Sequence, residues 1–433
     1  MTRWQERYGD KTIGAADAAA LVKSGDRVVV GHACGEPRAL TAALAARAGG
    51  LCGVEVVHMV PMAPSPFAAP GLEDSFRHNA LFVGAHTRAA VGEGRADYTP
   101  CFFSEVPRLI REGALRADVA LVQLSPPDDD GFCSYGVSAD YTMAAAENAE
   151  LVIAQINGRM PRTGGARIHV DWLDWLVDIS EELPELKPPA IGQVERLIGE
   201  QVAALVPARA TLQLGIGAIP DSVLLFLKGK KDLGIHSEMF SDGVLELVQA
   251  GVITNRHKSC NAGKSVATFL MGTRRLYDYV HDNPAVELRP VDYVNDPYVI
   301  GKHEAMVSVN SALQVDLMGQ VNAESMGGAQ YSGVGGQVDF IRGASRSRGG
   351  RSIVALPATA GKGSVSRIVA ALDPGAAVTT SRNDVHYVVT EFGAAELRGK
   401  SLRERAEALI AIAHPDFRPA LRRQAAERGL IRL

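Results

Sequence analysis

Short apolar runs, each closed off by glycine or proline, alternate with alanine- and leucine-rich stretches along the whole chain. Val28-Val29-Val30 is followed by Ala39-Leu-Thr-Ala-Ala-Leu44; Val54-Glu-Val-Val57, Val119-Ala-Leu-Val122 and Leu151-Val-Ile-Ala154 come next. The later part adds Leu212-Gln-Leu214, Ala305-Met-Val-Ser-Val309, Ser352-Ile-Val-Ala-Leu356 and Val385-His-Tyr-Val-Val389. Apolar runs of strand length, separated by helical stretches, describe buried strands joined by crossover helices. The pattern predicts an α/β protein with mainly parallel sheets.

A weak internal repeat is superimposed on this alternation. Leu21-Val-Lys-Ser-Gly-Asp-Arg-Val-Val-Val-Gly31 is matched by Leu205-Val-Pro-Ala-Arg-Ala-Thr-Leu-Gln-Leu-Gly215, with the glycine nine positions after the valine in both. Each copy runs on into a turn containing Pro37 or Pro220 and then an apolar helix. The unit reads as helix, strand, glycine turn, helix, used twice. At 433 residues the chain exceeds one ordinary core. The charged, proline-rich stretch Glu181-Glu-Leu-Pro-Glu-Leu-Lys-Pro-Pro189 is the best boundary, followed by a fresh helix from Gln193 to Leu205. Two halves are expected, 1–185 and 190–433, with a small-molecule cleft where they meet.

The net charge is −4, so no overall basic excess points to nucleic acid or an anionic membrane. Five scattered cysteines with no Cys-x-x-Cys argue against a disulfide framework or a zinc knuckle and fit a reducing compartment, the cytoplasm. The opening Met1-Thr-Arg-Trp-Gln-Glu-Arg-Tyr8 has no apolar core behind its charges and does not read as a secretory signal. No apolar window is long enough to span a bilayer as a helix.

Several segments carry chemistry. Gly215-Ile-Gly217 follows a strand and opens a helix, a place where backbone approaches a ligand closely. A plain strand–helix turn fits the same residues. The turn lacks the third glycine of a dinucleotide fingerprint and a suitably spaced acid, which argues against a nicotinamide cofactor. Glu238, in Leu233-Gly-Ile-His-Ser-Glu-Met-Phe-Ser-Asp-Gly243, sits at the end of a short apolar strand among Ile235, Met239 and Phe240. A partly desolvated carboxylate there is a candidate nucleophile toward an activated acyl group, a reaction that needs no metal. Glu105, in Phe102-Phe-Ser-Glu-Val-Pro107, has a similar neighbourhood in the first half and is the rival candidate for that role. His236, two residues before Glu238, either tunes that carboxylate or fills the core.

Tyr331-Ser-Gly-Val-Gly-Gly-Gln-Val-Asp339 suits a loop that turns N–H groups toward an oxyanion, or a flexible turn. Thr359-Ala-Gly-Lys-Gly-Ser-Val-Ser-Arg367 is a phosphate-holding loop or a solvated basic one, and lacks Walker spacing. The histidines show no His-x-x-x-His or His-Glu-x-x-His pattern, and Asp128-Asp-Asp130 lacks the alternation of a calcium loop, so no metal is expected.

In order along the chain stand Gly31-His-Ala-Cys-Gly-Glu-Pro37, Gly92-Glu-Gly-Arg-Ala-Asp-Tyr98, Gln123-Leu-Ser-Pro-Pro-Asp128, Ser134-Tyr-Gly-Val-Ser138 and Met160-Pro-Arg-Thr-Gly164. They are followed by Gly215-Ile-Gly217, Glu238-Met-Phe-Ser-Asp-Gly243, Gly333-Val-Gly-Gly-Gln-Val-Asp-Phe340 and Val388-Val-Thr-Glu-Phe-Gly393. Together these motifs resemble the acetyl-CoA hydrolase/transferase family, in its 4-hydroxybutyrate CoA-transferase (class I) form, over nearly the whole length.

The resemblance implies two similar open α/β halves of CoA-transferase (NagB/RpiA-like) type. It also implies a homo-oligomer, commonly a homodimer, using coenzyme A as co-substrate, with no tightly bound cofactor. It makes Glu238 the catalytic glutamate, carrying a glutamyl-CoA thioester. It implies that Gly215, Ile216, Gly217, Ala218 and Ile219 contact CoA. Gly336 then falls at a backbone oxyanion or CoA contact, and Lys362 reaches the CoA phosphates. The expected activity is CoA transfer to a small carboxylate such as 4-hydroxybutyrate, acetate or butyrate. Acyl-CoA hydrolysis is the alternative, and a non-catalytic effector-binding protein a remote one.

Overall fold

The valine run at 28–30 lies in the middle of a seven-stranded sheet in the computed structural model, which describes residues 3–432. The strands are β1 (Arg27–Val30), β2 (Val54–His58), β3 (Phe76–Ala80), β4 (Ala96–Tyr98), β5 (Val119–Leu124), β6 (Leu151–Ile156) and β7 (Trp175–Asp178). Their order is β7-β6-β5-β1-β2-β3-β4, and every pairing is parallel. Helix α1 (Arg38–Ala45) follows β1 and buries Leu40 and Leu44, four apart on one face. They join a core with Val28, Val30, Val54, Val56, Val119, Leu121 and Ile153. Burying one such leucine stabilises the unit by about 2 kcal/mol.

The second sheet has six strands: β8 (Thr211–Leu214), β9 (Gly234–Ile235), β10 (Met306–Ser311), β11 (Arg351–Ala355), β12 (Tyr387–Thr390) and β13 (Gly393–Glu396). The order is β9-β8-β10-β11-β12-β13, parallel except for the β12–β13 hairpin. Helices α2 (Gln193–Ala204), α3 (Ala218–Phe226), α4 (Asp242–Gln249), α5 (Gln337–Arg346) and α6 (Leu402–Ile412) accompany it. Its core gathers Val315, Ile341, Val354, Leu356, Val388, Leu409 and Ile410. Ser401 caps α6 in a reciprocal box with Glu404. The mainly parallel α/β architecture is the one read from the sequence.

Both copies of the repeat occupy equivalent places. Gly31 follows the central strand β1, and Gly215 follows β8. From β1 the chain builds outward through β2, β3 and β4, then returns to the other side at β5. From β8 it goes to β9 and then crosses to β10. Each sheet therefore reverses direction beside its repeat strand, and ligands of open α/β sheets bind at the carboxyl ends of strands at such points.

The division of the chain is not a single cut. One unit holds the residues up to Leu186 together with Val266–Val294, and the other holds Lys187–Ser265 with the residues from Asn295 onward. The sequence reading put 266–294 in the later half. Backbone pairing moves it: Glu287 and Leu288 pair with Gly164 and Gly165. Ala139 N–H donates to the Thr268 carbonyl at 3.0 Å, and the Tyr277 hydroxyl donates to the Pro184 carbonyl at 2.6 Å. A linear boundary signal is blind to a segment that returns to the first unit.

Candidate functional site

β8 ends at Leu214 and the chain turns through Gly215, Ile216 and Gly217. Gly217 caps α3 with φ at +115°, a conformation that side chains with a Cβ rarely adopt. Ala218 and Ile219 open the helix, and Ile216 is left 43% exposed. Asp221, in the first turn of α3, has its carboxyl pushed up to about 6 by burial, with Asp242 and Glu246 adding repulsion.

The next strand, β9, delivers His236, Ser237 and Glu238. The Ser237 hydroxyl donates to the Leu214 carbonyl at 3.1 Å and accepts from the Leu214 N–H at 3.3 Å. It thereby ties the residue before Glu238 to the residue before the glycine turn. From Leu233 to Phe240 every residue is buried except Glu238, which is partly exposed. The fold thus holds the neighbours and leaves this carboxylate reachable.

Glu238 Oε2 accepts a hydrogen bond of 2.7 Å from Nδ2 of Asn295, a fully buried residue. Gly336 closes the other side as the N-cap of α5. A Cβ built on Gly336 would stand within 2.5 Å of both Glu238 Oε2 and Asn295 Nδ2. The glycine is needed for space and not for conformation, since its φ of −95° and ψ of 7° suit other residues. The N-terminus of α5, the positive end of a ten-residue helix, lies beside the carboxylate. Such a group, oriented by the Asn295 amide and flanked by a helix N-terminus, is arranged for attack on an electrophilic carbonyl.

His236 is fully buried, its ring 4.6 Å from that of His303. Burial, reinforced by the charge of Lys258, holds His303 at about 3, so its imidazole is neutral at physiological pH. Of the other residues singled out in the sequence, Lys362 sits exposed at the tip of a short hairpin, Thr359–Ala360 with Val365–Ser366, at φ +58°. Glu105 pairs with Arg108 at 3.0 Å on the surface of the first unit. In the Val388–Gly393 motif, Glu391 accepts from the Ala358 N–H at 2.8 Å and the Thr390 hydroxyl donates to the Ile412 carbonyl at 2.6 Å. Those two residues are structural ties.

Sequence reasoning missed Asn295 and Lys258. Asn295 stands before Asp296-Pro297, where Asp296 caps a short helix and the whole stretch reads as a turn. Lys258 lies in the polar run Thr254-Asn-Arg-His-Lys258 and reads as solvated, yet it is 5% exposed.

The first unit has a polar cluster at the carboxyl ends of its own central strands. Gln123 Nε2 donates to the Glu36 carbonyl oxygen at 2.8 Å, and Asn157 Nδ2 donates to Gln123 Oε1 at 2.7 Å. The Thr41 hydroxyl donates to Glu36 Oε1 at 3.2 Å. Burial pushes the Glu36 carboxyl up to about 7, against the opposing pull of Thr41 and Arg38.

Comparison with known proteins agrees with this architecture. The acetyl-CoA hydrolase/transferase N-terminal domain matches residues 1–184 and the C-terminal domain of the same name matches residues 272–425. A 4-hydroxybutyrate coenzyme A transferase of Clostridium kluyveri is 60% identical over 96% of this chain and 98% of its own. A succinyl-CoA:cyclohexane-1-carboxylate CoA transferase of Geobacter metallireducens is 46% identical over 96% of this chain and 95% of its own. The crystal structure of a 4-hydroxybutyrate CoA-transferase from Porphyromonas gingivalis superimposes with a TM-score of 0.86 at 44% identity, covering 98% of this chain and 100% of that one. Fold and relatives together define an enzyme of the transferase class. The chain belongs to the acetyl-CoA hydrolase/transferase family.

Proposed function

We propose that the protein is a CoA-transferase that moves CoA from an acyl-CoA donor to a small carboxylate of the 4-hydroxybutyrate, acetate or butyrate kind. The reading rests on one observation above all: Glu238 is the partly exposed carboxylate in an otherwise buried run, held by Asn295 in a space that only a glycine at 336 leaves open. The family and the names of the full-length relatives support the substrate class.

In the proposed cycle, a Glu238 oxygen attacks the thioester carbonyl. The tetrahedral intermediate expels CoA thiolate and leaves an acyl–glutamyl anhydride. The thiolate then attacks the glutamyl carbonyl, the acyl carboxylate departs, and Glu238 carries CoA as a thioester. An incoming carboxylate attacks that thioester and expels CoA thiolate to form the second anhydride. Thiolate attack on the new acyl carbonyl releases acyl-CoA and restores the Glu238 carboxylate. No net proton is exchanged over the cycle.

The turn from Gly215 to Ile219 would contact CoA, Lys362 its phosphates, and backbone N–H groups near Gly336 the oxyanions. Losing one such donor lowers rate by about 100-fold. CoA is a co-substrate in this scheme; the working form is a homo-oligomer, commonly a dimer in the family, and the cysteine usage fits the cytoplasm. Glu238→Ala is expected to abolish transfer while leaving the fold intact; near-normal transfer by that variant would refute the assignment. Hydrolysis is separated by CoA release with and without acetate: a transferase requires the acceptor, a hydrolase does not.

A further inference from the structure

Glu238 hangs three residues beyond β9, a two-residue strand at the edge of its sheet. An edge strand is paired on one side only, and a nucleophile carried on it is as well placed as the strand's outer side is held. On the inner side, Gly234 N–H donates to the Ala210 carbonyl at 2.9 Å and His236 N–H to the Leu212 carbonyl at 3.1 Å. On the outer side the partner is a polar loop. The Leu233 carbonyl accepts from the N–H groups of Thr254 and Asn255, both at 3.0 Å. Ile235 N–H donates to Asn255 Oδ1 at 2.8 Å, and Asn255 Nδ2 in turn donates to the Ser265 hydroxyl at 3.0 Å.

Lys258 adds a loop-side contact three residues before Glu238. Its Nζ donates to the Ile235 carbonyl at 2.6 Å and to the Lys264 carbonyl at 2.6 Å. The ammonium thus staples β9 to the returning arm of the loop. Its stem crosses the strand as well: a Cβ on Gly234 would stand 2.5 Å from Lys258 Cγ and 3.0 Å from Cδ. Gly234 is the residue that lets this lysine lie flat on the backbone. Lysines are almost never this deeply buried without a specific partner. Two charge-assisted bonds are each roughly twice as strong as neutral ones. Beside the ammonium lies His303, kept neutral by burial and by that charge, and its ring packs on His236.

We infer that Lys258 is a positioning residue for Glu238, its buried ammonium fixing the main chain from which the carboxylate projects. The inference rests on the reading of Glu238 as nucleophile. A purely structural lysine would affect stability and leave the chemical step alone. A positioning lysine acts on the step in which Glu238 becomes acylated, because a misplacement of about 1 Å costs about 100-fold.

The test uses the full chain and acetyl-CoA as the probe. Wild type, Lys258→Met and Gly234→Ala are mixed with acetyl-CoA in single turnover, and CoA adduct on the Glu238 peptide is followed by mass spectrometry. Steady-state kcat and KM are measured alongside. Lys258→Met should form adduct about 30- to 100-fold more slowly, with KM for acetyl-CoA changed by less than about threefold. Gly234→Ala, which keeps the charge and displaces the stem, should lose rate in the same direction and to a lesser degree. The double variant should be no slower than Lys258→Met, since both changes act through one contact. Wild-type adduct rates in folded Lys258→Met would overturn the inference. If that variant does not fold, wild-type rates in Gly234→Ala overturn it. Absence of adduct from the wild type would instead refute the role of Glu238, and the role of Lys258 with it.

Discussion

Adding one methyl group at Gly336 isolates the placement of the Glu238 carboxylate. The new Cβ would lie within 2.5 Å of Glu238 Oε2 and Asn295 Nδ2, where ordinary contact begins near 3.4 Å. The carboxylate must therefore retreat by about an ångström or more and surrender its 2.7 Å bond to Asn295. Stability should change little. The backbone of Gly336 is already in a region open to alanine, and the clashing atoms are the far ends of the Glu238 and Asn295 side chains. Catalysis should change much more, because about 1 Å of misplacement at a reacting atom costs about 100-fold, or roughly 2.7 kcal/mol of barrier. The assay is exchange between acyl-CoA and labelled acetate, with thermal unfolding of the same preparation. Gly336→Ala is expected to lower kcat by about 100-fold with Tm within a few degrees of wild type. A folded Gly336→Ala with kcat within threefold of wild type would refute the reasoning, since the carboxylate would then need no defined place.

Two further outcomes follow from the same geometry. Asn295→Ala removes the donor to Glu238 Oε2 and should reduce kcat by about 10- to 100-fold with a KM change below about threefold, read from steady-state kinetics. Glu36, held at about 7 in the fold against an ordinary value of 4.5, keeps its proton when the unfolded chain has lost it. Stability should therefore fall as pH rises from 4.5 to 7 and level off above, by on the order of 3 kcal/mol. Urea unfolding across that window should show the slope in wild type and lose most of it in Glu36→Gln.

Apolar strands were legible because composition alone marks them: the runs at Val28, Val119, Leu151 and Ser352 all lie in the two sheets. β3 was not, because it reads Phe-Arg-His-Asn-Ala. Its polar side chains find partners only in three dimensions, His78 Nδ1 with the Ser65 hydroxyl at 3.1 Å and Asn79 with Glu55 at 2.8 Å. The repeat disclosed the two glycine turns, since a strand followed by a glycine at a fixed offset leaves a spacing in one dimension. Asn295 and Lys258 left no such trace. Each gains its place through a partner distant in the chain, Glu238 for Asn295 and Ile235 for Lys258, and polar residues in turn-like segments look alike until those partners are known.

The most direct test is whether the Glu238 side chain becomes joined to the sulfur of CoA. The enzyme is incubated with saturating acetyl-CoA, quenched, digested and mapped by mass spectrometry, with a second sample chased by acetate. The expected result is one CoA per chain on the peptide containing Glu238, labile to hydroxylamine and discharged by the chase. An unmodified polypeptide under the same conditions, with exchange still proceeding, would contradict it.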